Sequence, residues 1–555
     1  MHLSAIDIAV VILYAVFIFV LAQLVSREKK GHAKNSQDYF LASRALPWWA
    51  IGTSLIAANI SAEQIIGMSG SGYAIGLGIA SYEWMAALTL LIVGVFFLPV
   101  FLKNQIYTMP EFLKRRYGPN IQFVMAILWL LMYVFVNLTS ILWLGSTAFS
   151  TVTGISQQYS LIILATFCGV YALYGGLKAI ALTDVVQVTM LVLGGLVILF
   201  IALTHISGDV SALGAVHGFQ MLLHKVPDNH FHMILHPDNP FYKDLPGLSV
   251  ILGGMWVANI SYWGFNQYII QRALAAKSIH EAQKGIVLAA FLKLLIPLIV
   301  VVPGIAAVLI ASHAQMACPD DITKICNDRA YPTLMTLLPH GLLGIVFAAL
   351  IAAIIASLGS KVNSIATIFT MDVFKTFNKK TSEKGLVITG RITAITALII
   401  AVIVAKPLIG NFKQAFQFIQ DFSGFFTPGI CVIFLLGLFW KRATEAGALV
   451  AAVGSVLISG VCYLGENIAQ LGFVQVHADA ARTLTYLSNI PFMNRMGYTF
   501  LVCLGLAVIV SLLQRPKPEA VTVDVTNIDY STTISFKIAS GAIIAILIAL
   551  YATWW

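Results

Sequence analysis

Apolar runs of about 20 residues, the length that crosses a bilayer, begin near residues 5, 47, 78, 121, 158, 183, 247, 283, 337, 387, 414, 443, 497 and 534 of the 555-residue chain. They predict about fourteen membrane-spanning helices joined by short polar connectors, an all-α polytopic architecture. Two of the runs are interrupted at mid-depth by the same polar word, Ala58-Asn59-Ile60-Ser61 and Ala258-Asn259-Ile260-Ser261. An unpaired amide or hydroxyl at that depth costs several kcal/mol. Each word therefore predicts a break in its helix, with the freed groups turned to a ligand or ion. A repeated tetrapeptide is weak evidence in so long and biased a chain; the placement of the two words carries the argument.

The spans divide unevenly. Residues 1–46 hold one leading span and its loop, and the next ten spans form two sets of five, 47–205 and 247–438. Because five is odd, the second set starts from the opposite side of the membrane. The halves then form a 5+5 inverted repeat whose first helices are the two interrupted ones, the usual position of a midplane binding site. Residues 206–246 form the longest outward loop, and 439–555 hold three further spans. Ser69-Gly70-Ser71-Gly72 is expected to let the chain turn after the first break.

Composition agrees: 59% of residues are hydrophobic, 10% are charged and the mean hydropathy is +0.88, against about 25% charge in soluble proteins. The net charge of +9 would fit a nucleic-acid partner, but its distribution excludes that reading. Two thirds of the 33 Lys and Arg fall in loops of one side, against Lys225, Lys243, Lys324, Arg329, Lys406, Lys413, Arg482 and Arg495 on the other. That asymmetry is the positive-inside pattern, and it places both termini outside. The first run has no positive residue before it and four after it, so it reads as a span rather than a signal peptide.

Cys168, Cys431, Cys462 and Cys503 lie in apolar runs and read as packing residues. Cys318 and Cys326 share one outward loop, where a disulfide and two free thiols are both open. His205, His217, His224, His230, His232 and His236 crowd the long outward loop. His230-x-His232 lacks the Cys or carboxylate that would complete a metal site, so a solvated loop is expected. No Walker loop, zincin motif or nucleophile elbow occurs, which argues against an enzyme and against a cofactor.

Ionisable groups within spans are expensive and each is a functional candidate. Lys293 stands in Phe291-Leu292-Lys293-Leu294-Leu295-Ile296-Pro297, Glu83 in the run from 78, Glu63 and Gln64 just after the first word, and Gln420 and Asp421 in the run from 414. A purely structural pairing of Lys293 with one carboxylate is the alternative. The surplus of neutral amides at similar depth, Asn59, Gln64, Asn259 and Gln420, favours a neutral polyhydroxylated ligand. Tyr262 and Trp263 offer flat faces to a sugar ring, or simply pack.

Several of these stretches are longer motifs: Asn59 to Tyr73, Ser81 to Met85, Tyr174 to Ala179, Asn259 to Arg272 (NISYWGFNQYIIQR), Phe291 to Lys293, Asn363 to Asp372, and Gln414 to Gln420. From about Ser26 to Trp440 the chain resembles the sodium:solute symporter family, in its sugar branch. The resemblance implies a LeuT-like fold in a cell inner membrane and uptake of a hexose such as galactose or glucose, driven by sodium through alternating access. Sodium is then the coupling ion, the bilayer the surroundings, and no obligate protein partner is implied. Gln64, Glu83, Asn259, Lys293 and Gln420 would bond the sugar hydroxyls. Tyr262 would stack on the ring as inner gate, with Met68, Tyr82 and Phe416 closing the outer side. The sodium would take carbonyls of Ala57, Ile60 and Ala353 and the hydroxyl of Ser357, with Asp184 on its exit.

Two departures bear on these roles. Ala86 stands where a sugar-transporting member carries a serine, a contact worth about 1 kcal/mol. Ala356 replaces one of two adjacent hydroxyls expected at the sodium. Lys361 lies one turn beyond Ser357, on the same face. Snorkelling to the cytoplasmic edge is its ordinary reading; repulsion of sodium and substitution for it are the others. Rival classes remain: a family member for sialic acid, an amino acid or pantothenate, a transport-like sensor, or a membrane-embedded enzyme. Glu83 beside Lys293 disfavours a carboxylate ligand, no regulatory domain is expected after Trp555, and no catalytic constellation is visible.

Overall fold

The computed structural model describes residues 3–25, 45–106, 108–174, 177–318, 321–410, 414–470, 478–514 and 523–555. The basic connectors 26–44 and 515–522 and the Gly175-Gly176 pair fall outside them. Helices lie over the apolar runs, because a helix is the one open segment that satisfies its own backbone in hydrocarbon. Among the described residues nine are long and apolar enough to span a bilayer: Leu77–Lys103, Pro119–Thr153, Thr183–Ser207, Ile279–Ile310, Leu342–Phe377, Glu383–Ile409, Glu445–Gly465, Phe492–Leu513 and Ile534–Thr553. Ala415–Ser423 and Thr427–Phe439 make one further candidate, bent by 45°. Ile388, Ile392, Ile395, Ile399 and Ile403 stand exposed along one helix, a stripe far too apolar to face water. The chain is a multi-pass membrane protein.

The first interrupted helix sits at the centre. Trp48–Asn59 packs between Ile279–Ile310 and Leu177–Ser207. Its N-terminus is fixed by Glu281, whose Oε2 accepts from the Trp48 N–H at 2.7 Å. A carboxylate there also meets the positive end of the helix dipole. The helix stops at Ile60 (φ −71°, ψ 107°), and that extended residue prevents the next amide from bonding back to Ala57. Ser61 N–H donates instead to Gln64 Oε1 at 3.3 Å. The chain restarts as a π-helix, Glu63–Met68. Further π turns occur at Val93–Phe97, Met132–Leu138, Ser261–Phe265 and Ile368–Phe374.

The second word behaves differently from expectation. Gly254–Ile260 is helical through Ala258 and Asn259, and the π turn Ser261–Phe265 continues it. The break lies at Asn266 (φ −81°, ψ 123°), before Gln267–Leu274. Asn259 Nδ2 donates to the Met255 carbonyl one turn back at 3.2 Å, which satisfies the amide without unwinding. Asn266 instead has a partner across the bundle: Tyr133 donates to its Oδ1 at 2.5 Å and accepts from Gln267 N–H at 3.2 Å.

The glycine run after the first break does not turn either. Ser69–Ile75 is a helix, and the turn comes at Gly76, whose φ is +91°. A Cβ on Gly70 would lie 2.8 Å from the Asn327 backbone and one on Gly72 2.8 Å from the Val301 carbonyl. These glycines serve close packing. The His-rich segment carries a docked helix, yet His205, His217, His224, His232 and His236 are exposed, as a solvated segment requires, and only His230 is buried. Ala212–Lys225 is a helix capped by Ser211 and packed on Leu177–Ser207. His230 Nε2 lies 3.3 Å from the Tyr73 carbonyl and His232 Nδ1 3.0 Å from that of Trp555. Among the described residues no group of three His, Cys, Asp or Glu could hold a metal ion.

Cys318 and Cys326 form a disulfide across the antiparallel pair Ala317–Cys318 and Asp321–Ile325, and the other four cysteines are buried thiols. Alkylation of the denatured protein, read by intact mass, is expected to label four cysteines before reduction and six after it. Six labels without reduction would remove the bridge.

Candidate functional site

A cavity lies beside the first break, with about 90 Å³ open to the centres of water-sized molecules. Gln64, Glu83, Asn259, Tyr262, Lys293 and Gln420 all line it, from five separate stretches of chain. Lys293 is at its heart, fully buried within Ile279–Ile310. Its ammonium donates to Glu83 and to Asn59 Oδ1, and lies 4.8 Å from the Trp263 ring centre. Asn59 Nδ2 in turn donates to the Tyr262 hydroxyl at 3.1 Å. The pairing of Lys293 with a carboxylate, weighed from sequence as an alternative to a ligand role, thus exists and itself faces the cavity.

This cluster holds both signs of charge and several amide groups in one small space. An ammonium with three donors and a carboxylate with four acceptor positions can exchange bonds with hydroxyls without leaving a charge unpaired. Bonds from hydroxyls to such charged groups are worth about 1.5–3 kcal/mol each. A ligand bringing its own carboxylate would instead face Glu83 across a few ångströms of low dielectric.

The expected gates divide. Tyr82, Phe416 and Tyr262 line the cavity; Tyr82 and Phe416 meet edge to face at 5.1 Å. Tyr262 contacts the rings of Trp263 and Tyr268 at 5.2 and 5.9 Å. Met68 is fully buried on the π turn and does not reach the cavity lining. Asp421 also points elsewhere, pairing with Arg495. Ala86 does line the cavity. At the start of Ala415–Ser423, Asp328 Oδ2 accepts from Ala415 N–H at 3.1 Å. Burial pushes this carboxyl up to about 7.

Ala57 and Ile60 lie at the first break, and Ala353, Ala356 and Ser357 lie on Leu342–Thr367, all of them buried. Ser357 Oγ donates to the Ala58 carbonyl at 3.5 Å, joining the two helices. Nearby, Ser54 donates to Asp184 Oδ2 at 2.5 Å and accepts from Arg272 Nε at 3.1 Å. Asp184 is buried below the break and away from the cavity. Lys361 does not snorkel: it is 0% exposed, its Nζ donates to Ser357 Oγ at 3.1 Å, and Glu63 Oε2 lies 3.9 Å away. These partners, and the Tyr268 ring at 4.5 Å, make a solvent-seeking conformation unnecessary.

Asn137, Asn266, Ser423 and Thr427 line the cavity as well and were not singled out from sequence. Asn137 Oδ1 is buried with no hydrogen-bond partner among the described residues. Its signal was available: an amide within the apolar run Leu130 to Leu138.

The family model described as "Sodium:solute symporter family" matches residues 39–454. The chain is 48% identical to a Vibrio parahaemolyticus protein named sodium/glucose cotransporter, over 100% of this chain and 99% of that one. It is 35% identical to a mouse sodium/myo-inositol cotransporter, over 83% of this chain and 67% of that one. Its fold matches that of a sodium-coupled sialic acid symporter solved in a substrate-bound, outward-open state, with a TM-score of 0.75, 20% identity, and coverage of 92% and 99%. Mhp1, a nucleobase-cation symporter, follows with a TM-score of 0.51 and 14% identity over 90% and 100%. With three quarters of its length inside the family model and a relative alike from end to end, the chain belongs to the sodium:solute symporter family.

Proposed function

We propose that this protein is a secondary active transporter that takes up a hexose, galactose or glucose, with sodium. The observation that carries the reading is the Lys293–Glu83–Asn59 cluster, facing the same cavity as Gln64, Asn259, Gln420 and Tyr262. Charges already paired, with amides around them, suit a ligand made of neutral hydroxyls. Gln64, Glu83, Asn259, Lys293 and Gln420 bond those hydroxyls, and Tyr262 stacks on the ring from below. Met68, Tyr82 and Phe416 close the outer side. Cyclic polyols present similar hydroxyls, and the myo-inositol relatives make such a ligand the second reading.

In this reading the chain crosses a cell inner membrane fourteen times with both termini outside. The leading span and loop (1–46) precede five-helix halves 47–205 and 247–438, in LeuT-like inverted arrangement around the cavity. The segment 206–246 is periplasmic and 439–555 holds three added spans. Sodium binds carbonyls of Ala57, Ile60 and Ala353 with the Ser357 hydroxyl, and leaves past Asp184. A membrane potential gives about 2.3 kcal/mol per charge per 100 mV, and a tenfold sodium gradient about 1.4 kcal/mol. Together they support a sugar gradient of several hundredfold for one ion, so one sodium per sugar suffices.

Counterflow in proteoliposomes, with labelled galactose, glucose and myo-inositol and with or without sodium, tests the whole reading. Sodium-stimulated exchange of a hexose is expected, and exchange of none of the three overturns it. Removing Lys293 alone would leave Glu83 buried without its partner, at a cost of about 3–5 kcal/mol. The double variant Lys293→Met/Glu83→Gln avoids that cost, so it should fold, elute and melt like the parent yet bind sugar at least a hundredfold more weakly by calorimetry. Parental affinity in that variant puts the sugar elsewhere. Ala356→Ser returns an oxygen to the ion site and should lower the sodium concentration for half-maximal uptake several-fold; equal values would show that this position does not meet the ion.

A further inference from the structure

We propose that Lys361 is a tethered competitor for the coupling-ion site, and that sodium binds by pushing its ammonium off Ser357 toward Glu63. The proposal rests on the sodium positions given above and concerns what a second, permanent cation does among them. Lys361 Nζ donates to Ser357 Oγ at 3.1 Å, the one side-chain hydroxyl in that set. Ser357 itself bridges to the Ala58 carbonyl at 3.5 Å, at the break in the first helix. The ammonium therefore approaches the same small region as the ion.

A serine oxygen has two lone pairs, and here one is committed to Lys361. Ala356 offers no second hydroxyl, so sodium meets a depleted oxygen shell and a like charge next to it. In a low-dielectric interior that repulsion is strong. The ammonium has somewhere to go. Glu63 Oε2 lies 3.9 Å from it, beyond hydrogen-bond distance but within a small side-chain movement. Glu63 is fixed on the π turn by Ser140, whose hydroxyl donates to its other oxygen at 2.6 Å. The Tyr268 ring centre lies 4.5 Å from Nζ and adds a cation–π contact to the lysine. A lysine placed only to pair with Glu63 would sit against that carboxylate; this one favours the hydroxyl the ion needs.

The test uses the purified full chain in nanodiscs, titrated with sodium chloride at constant ionic strength. Tryptophan fluorescence is the readout, since Trp129 and Trp263 line the cavity, with calorimetric galactose or glucose binding in parallel. Lys361→Met removes the charge at similar length, and its half-saturating sodium concentration should fall tenfold or more. Lys361→Gln, which keeps a donor for Ser357 without charge, should fall likewise if the Met variant does not fold. Glu63→Gln removes the second anchor and should raise the sodium requirement in the parent, while changing it far less in the Lys361→Met background. A sodium requirement unchanged or raised in both Lys361 variants overturns the proposal. So does a Glu63→Gln effect of equal size in both backgrounds, and so does a fluorescence signal indifferent to sodium in every protein. Sodium-responsive fluorescence that shifts as expected, without hexose heat, would uphold Lys361 and overturn the sugar reading instead.

Discussion

A lysine ammonium in the middle of a hydrocarbon-thick bundle must be ringed by acceptors, and the arrangement around Lys293 follows from that demand. Glu83 and Asn59 meet it, and Asn59 passes the constraint on to the Tyr262 hydroxyl. One charge thereby fixes the relative positions of the first interrupted helix, Leu77–Lys103, Ile279–Ile310 and the π turn that carries Tyr262. Because the charges are paired, the cluster is tolerable without a ligand. Because it borders a cavity, it remains available to one.

The two copies of Ala-Asn-Ile-Ser show how far local chemistry depends on neighbours. In the first, Asn59 is drawn sideways to Lys293 and Tyr262, and the chain becomes extended one residue later. In the second, Asn259 closes on its own helix at Met255, and the backbone stays helical. The interruption in that half comes at Asn266, where a tyrosine from another helix supplies both a donor and an acceptor. The word marks polar depth; whether the helix opens there is set by what stands across from it.

Much of the design was legible in the chain. Apolar run length located the helices, because hydrocarbon thickness is a hard constraint. The cost of intramembrane polarity located Lys293, Glu83, Gln64 and Gln420, and the motif resemblance supplied their grouping. What could not be read depended on contacts between distant segments. Gly70 and Gly72 read as a flexible joint in the sequence, whereas Asn327 and Val301 pack against them in the fold. Lys361 looked like a surface lysine because Glu63 and Tyr268, its companions, lie some 300 and 90 residues away in the chain. Asn137 is one amide in an apolar run, and only the packing around it leaves its Oδ1 without a partner among the described residues.

The π turns have a geometric consequence of their own. Each holds one residue more than an α-helix of the same rise would, and one residue corresponds to about 100° of rotation. Glu63–Met68, Met132–Leu138 and Ser261–Phe265 all contribute to the cavity wall. Side chains on either side of such a turn are therefore offset from the facing that an unbroken helix would give them. Three walls of the cavity keep a spare residue in hand, so the pocket's lining is set as much by winding number as by which amino acids were chosen.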